Sequence, residues 1–153
     1  MFRYETMREA LDERIPEIIN TMEHAEVIAK WNNEEIPIYL YYEILQHLFS
    51  DLLNGLLKDE KLLERILDFM EDMANSEDIE VKNLVEIGIL EGLFGLEYNV
   101  FTHMEKMLLP STAKLLDHAK HSFRAPNGYG PREQESKVSS WGRFIRSLKS
   151  LIS

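Results

Sequence analysis

The sequence predicts an all-α protein built of stacked helix pairs, either HEAT-like or an irregular helical bundle, with a further amphipathic helix after a linker. Three observations predict it. Strand signals are missing, and glycine is scarce, with 7 in 153 residues. Long stretches place apolar residues at helical spacing. A faint internal echo has a helix-pair period: Leu53-Asn54-Gly55-Leu56-Leu57 resembles Leu90-Glu91-Gly92-Leu93-Phe94, and Phe69 to Met73 resembles His103 to Met107. Such repeats stack helices and leave an extended face for a partner.

The elements follow in order. Residues 2–32 read as helical with a break or kink at Pro16, which suits the first turn of a new helix. Asn32-Asn33 ends that stretch. Pro37 opens a helix through YLYYEILQHLFSDLLNGLL, in which Gly55 either costs about 1 kcal/mol or ends the element. Asp59 starts the next, with Leu62, Leu63, Ile66, Leu67, Met70 and Met73 on one stripe. Asn75 and Ser76 form its stop and the following cap. Glu77 and Asp78 then sit where a helix dipole favours acid. Residues 79–95 form a helix apolar on nearly all sides, hence a central one. A helix over 97–108 and one opening at Pro110 and closing near Phe123 complete a domain of residues 1–124. Residues 125–138 hold two prolines and two glycines without apolar periodicity, and read as a linker. Residues 139–153 form a short basic amphipathic helix: Trp141, Phe144, Ile145, Leu148 and Ile152 share a stripe, and Arg143, Arg146 and Lys149 lie off it.

Composition narrows the functions. The chain has no cysteine, which removes disulfides, thiolate metal sites and cysteine nucleophiles and fits a reducing, cytoplasmic setting. The N-terminus is charged at once and has no secretory apolar core. No run approaches the roughly 20 apolar residues of a membrane span. The net charge is −10 and unevenly placed. Residues 1–110 carry 24 acids and 9 bases, and residues 111–153 carry 3 and 8. A body so acidic repels nucleic-acid phosphate and attracts basic surfaces. The expected partner is therefore a basic protein, or the chain's own basic tail, and not nucleic acid.

Catalytic signatures are lacking. None of the five histidines follows a glutamate by three residues, as a helical di-iron site requires. There is no nucleophile elbow, P-loop or Rossmann glycine pattern. Asp117, His118 and His121 share a helix end, but the helix dipole alone favours histidines there. Glu86 and Glu91 lie on the central helix about 140° apart at α-helical spacing, too far round to share a site. Each is expected at an edge or paired with Lys, Arg or Tyr of a neighbouring helix. The expectation is a non-enzyme without metal or cofactor. Two features are candidates for binding a partner. One is the acidic turn of Glu71, Asp72, Glu77, Asp78 and Glu80. The other is the aromatic start of the second long helix, Tyr39 and Tyr42 with Trp31.

The segment FMEDMANSEDIEVKNLVEIGILEGLFG resembles one found in small acidic helical bacterial proteins, among them toxin-immunity proteins. Val85, Leu90, Glu91 and Leu93 carry the pattern, and Leu109-Pro110-Ser111-Thr112 followed by Leu115-Leu116 resembles what comes next. The likeness spans residues 40–123 and rests on packing motifs. It implies a HEAT-like helical stack without catalysis that neutralises a toxin. Many such toxins are basic nucleases, and an acidic inhibitor suits them. The alternative is a regulatory or scaffold protein whose C-terminal helix mediates self-association or membrane contact.

Overall fold

The computed structural model describes residues 2–32 and 35–124, all-α and without a strand among them. The proposed linker, residues 125–138, and the basic amphipathic helix, residues 139–153, lie outside the described residues. The helices are α1 (Met7–Arg14), α2 (Met22–Trp31), α3 (Ile38–Leu53), α4 (Glu60–Ala74), α5 (Ile79–Asn83), α6 (Tyr98–Met107) and α7 (Pro110–Arg124). A 3-10 turn, Tyr4–Thr6, precedes α1, and another, Pro16–Asn20, precedes α2.

The N-terminal stretch breaks twice, not once. Ile15, before Pro16, leaves the helical region with φ −130° and ψ 68°. The second break is Thr21, whose hydroxyl accepts from the His24 N–H at 3.1 Å and so caps α2. Asn32 closes α2 at φ 54° and ψ −123°, a positive-φ backbone that few residues other than glycine adopt. Gly55 ends α3 at φ +75°, and the Leu56 N–H returns to the Asp51 carbonyl at 3.0 Å. This is the Schellman closure that a left-handed residue permits. Asp59 caps α4 through the Leu62 N–H at 3.0 Å.

α5 is the first part of a continuous helical rod over 79–95. Its middle, Leu84–Leu90, is π-helical, and its end, Glu91–Gly95, is 3-10. The cap expected at Ser76 is instead Asp78, which accepts from the Glu80 N–H at 3.0 Å. Ser76 is buried and bridges, accepting from the Asp78 N–H and donating to the Phe2 carbonyl. Along the rod Val81, Leu84, Val85, Ile89, Leu90 and Leu93 are all fully buried. At roughly 1.5–3 kcal/mol for each such side chain, this element anchors the core. α3, α4 and α7 pack around its π-helical part, and α1 and α2 lie against α3.

That packing is an irregular bundle about a central helix. In a solenoid each unit touches only its neighbours, whereas α4 here packs on α7 across the intervening rod and α6. The internal echo has no shared structural role. Gly55 is a left-handed helix terminus, while Gly92 lies inside the rod, where an added Cβ would come 2.9 Å from the Gln46 side chain.

One carboxylate fixes α7. Glu71 of α4 accepts from the N–H groups of Ser111 and Thr112, at 3.0 and 2.9 Å, and from the Thr112 hydroxyl at 2.9 Å. These are first-turn donors that an isolated helix leaves without partners, and Pro110 at the start contributes no N–H. Burial raises the Glu71 pKa, but the hydrogen bonds from Ser111 and Thr112 outweigh it and hold it below 4.5.

Glu71→Ala is therefore expected to cost about 1–2 kcal/mol in urea unfolding, the scale of a lost helix cap. Because the folded pKa is depressed, the contribution is present above pH 4.5 and disappears as pH falls through the lowered value. Unfolding followed between pH 7 and 3 should show the gap between wild type and Glu71→Ala closing with acid. A gap that stays constant would remove the ionised cap from this account.

Candidate functional site

The two candidate patches, 29 or more residues apart in sequence, meet at Tyr4. Its backbone N–H donates to the Asp78 carboxylate at 2.9 Å, tying the N-terminal turn to the start of the rod. Its phenol is raised in pKa, first by burial and then by the charge of Glu80. The same residue lines a cleft of 680 Å³ together with Glu5, Arg8, Glu9, Glu35, Ile36, Pro37 and Ile38. Tyr39 follows directly, half-buried at the start of α3, with its ring 3.5 Å from where a Gly88 side chain would begin. Burial, then the charges of Tyr4, Glu80 and Glu91, push the Tyr39 hydroxyl up to about 12. The N-terminal turn, the start of α3 and the start of the rod thus share one acidic field.

The acids of the predicted turn divide by task. Glu71 caps α7, and Asp78 caps α5 and holds Tyr4. Asp72 pairs with Arg14 at 2.8 Å. Glu77 and Glu80 are exposed and supply charge at the surface. The aromatic candidates divide too. Tyr42 is corrected as a partner anchor: it is 0% exposed, and its hydroxyl donates to the Met7 carbonyl at 2.7 Å, pinning α1 to α3. Trp31 is half-buried against the core and is not among the residues lining the cleft. Its buried indole N–H has no hydrogen-bond partner among the described residues.

Sequence reasoning missed Tyr4, Glu5, Glu9 and Glu35. Glu5 and Glu9 are four apart across the start of α1, a spacing that puts both on one helical face. That spacing was legible. Their approach to Pro37 and Ile38 was not, because it depends on tertiary packing.

The rod's two glutamates take different surroundings. Glu86 is buried and pairs with His118 of α7, a histidine where the sequence predicts an edge position or a Lys, Arg or Tyr partner. Glu91 contributes charge near Tyr39. The π-helical turn alters the geometry expected of an α-helix, because the Glu91 N–H bonds to the carbonyl of Glu86, five residues back. Among the described residues no group of three His, Asp or Glu side chains is arranged to hold a metal ion. His118 faces Glu86, and the His121 ring contacts the Asp117 carbonyl at 2.7 Å. No described helix is long and apolar enough to cross a membrane.

The fold and the site define an all-α protein with an acidic cleft at one end of the bundle. Residues 8–123 match the family described as a domain of unknown function, DUF7674, and the chain belongs to that family. No curated protein and no solved structure matches it.

The raised Tyr39 hydroxyl contributes stability below pH 10 that is lost as pH rises through about 12. Spectrophotometric titration of wild type against Tyr39→Phe is expected to show one phenol ionising near that upper value. A difference spectrum with its midpoint at 10 would remove the buried, acid-flanked setting assigned to Tyr39.

Proposed function

We propose that the protein is a protein-binding module that presents acid to a basic partner, and specifically an immunity protein that binds and neutralises a basic, nuclease-type toxin. In this reading it works in the cytoplasm, without catalysis and without a cofactor. One observation supports the reading most: Glu5, Glu9 and Glu35 line one cleft whose lining includes a single base, Arg8, and Glu80 adds its charge to the neighbouring Tyr4 and Tyr39. Arg8 itself lies over the Tyr41 ring, 4.6 Å from its centroid, where a cation–π contact holds it. Acid concentrated on a rigid helical frame steers a basic partner and raises its association rate. The cleft also has apolar ground for contact in Ile36, Pro37 and Ile38.

The test separates binding acids from structural ones. The double variant Glu77→Lys, Glu80→Lys is expected to leave the free energy of urea unfolding within about 0.5 kcal/mol of wild type, as exposed substitutions do. It should slow association with a basic nuclease partner about tenfold or more and flatten the salt dependence. The partner would be captured at low ionic strength, released by rising salt, and assayed for inhibition of its nuclease activity and for rescue of growth. Asp78→Ala should instead lower stability by about 1–2 kcal/mol, the cost of an N-cap. If the charge-reversed protein inhibits the same nuclease at an unchanged rate, the acidic face is not the docking surface.

A further inference from the structure

The helices place the exit of α7 at the end of the bundle opposite the acidic cleft. Thr112 sits beside Glu71 near the C-terminus of α4, and His118 sits beside Glu86, seven residues into the rod. The rod turns back from α4 through residues 75–78 and packs on it, so α7 runs with the rod and against α4. From Thr112 to Arg124 it advances about 18 Å at 1.5 Å per residue. That distance along α4 leads from Glu71 back to its first turn. There the α3–α4 connection leaves apolar surface uncovered: Leu56 is 79% exposed and Leu57 40%. Beside them is a recess of 310 Å³ lined by Leu52, Gly55, Leu57, Lys58, Asp59, Glu60 and Leu63. Residues 51–64 carry four acids and two lysines.

We propose that residues 139–153 dock on this recess in their own chain, laying the Trp141, Phe144, Ile145 and Leu148 stripe against Leu56, Leu57 and Leu63. Three features of the chain select this occupant. The stripe is apolar, as the recess is. Arg143, Arg146 and Lys149 border it with the charge opposite to the net charge around the recess. Residues 125–140 can span up to roughly 50 Å, far more than the separation between the end of α7 and the start of α4 requires, and a tethered segment acts at a high effective concentration.

Trp141 reports on this directly. The chain has two tryptophans, so Trp31→Phe in the full chain leaves Trp141 as the only indole. It also removes an indole N–H that lacks a partner among the described residues. The expected result is blue-shifted Trp141 emission and acrylamide quenching several-fold weaker than in a free peptide of residues 139–153, both unchanged over a hundredfold dilution. Adding Leu56→Glu and Leu57→Glu should return both to the peptide values with the helical circular dichroism of the bundle intact. A second variant, Phe144→Glu, changes a residue outside the described ones and should shift the amide resonances of Leu56 and Leu57 while leaving those of Tyr39 and Glu80 in place. Peptide-like Trp141 in the parent, protection that survives the leucine changes, or amides unmoved by Phe144→Glu would each overturn the proposal. Protection lost on dilution would also overturn it, since the recess would then hold the tail of a second copy.

Discussion

The helical rod at residues 79–95 buries Val81, Leu84, Val85, Ile89, Leu90, Leu93 and Phe94, and much of the rest of this fold is the cover for them, while Ile79, Glu80, Gly92 and Gly95 stay exposed towards its ends. α3, α4 and α7 enclose its middle part. The contacts with α3 are close because Gly88 and Gly92 present backbone where Tyr39, Tyr42 and Gln46 lie. A larger side chain at Gly92 would have to displace Gln46, which donates to Ser50 at 2.9 Å. The one carboxylate deep on this rod, Glu86, escapes the usual cost of burying charge by meeting His118, a residue whose side chain is 71% exposed. The polar group leaves the core at the seam between the rod and α7, where its partner is exposed.

Cover of that kind must be held in place, and here acids do much of the holding. Glu71 reaches the first turn of α7, Asp78 the first turn of α5 and the backbone of Tyr4, and Glu17 pairs with Arg65 on α4. Each sets negative charge against backbone N–H groups or a guanidinium, where it is stabilised. The excess of acid over base is therefore not one undivided binding surface. Part of it joins helix ends, and only the remainder is available to a partner. Charge counted along a sequence cannot make that division, because an acid in a cap and an acid in solvent are the same letter.

The same limit marks what the sequence made legible. The all-α class, the starts of α3, α4 and α7, the end of α3 at Gly55 and the centrality of residues 79–95 all follow from local signals: proline, glycine, cap residues and apolar periodicity. The break at Thr21 carries a local signal as well, a threonine before a helical run, but the proline five residues earlier is the stronger one and by itself accounts for a single interruption. The move of the α5 cap from Ser76 to Asp78 is not local. Ser76 is drawn into the Phe2 carbonyl, a contact 74 residues distant, and Asp78 takes the vacated role. Tyr42 misled for a related reason. Aromatic residues at the opening of a helix read alike whether they face solvent or core, and only the docking of α1, which accepts the Tyr42 hydroxyl at Met7, decides between them.

The directions of the helices separate the two surfaces of interest. α3 and the rod run side by side from the acidic end, since Tyr39 meets Gly88 and Gln46 meets Gly92 further along. α4 runs the other way, from Asp59 to Asn75. The turn at residues 75–78 and the N-terminal segment tied to it form one end, and the α3–α4 connection forms the other. An apolar recess at the second end and a negative field at the first suit ligands of different character. A basic tail held by hydrophobic contact near Leu57 would leave Glu77, Glu80 and the cleft at Tyr4 open. A tail drawn instead to the strongest negative field would compete with any basic partner for the same charge. The first arrangement lets one chain keep its own cationic segment and still meet a cationic protein, because apolar contact falls off within a few ångströms while charge acts over a Debye length of about 8 Å.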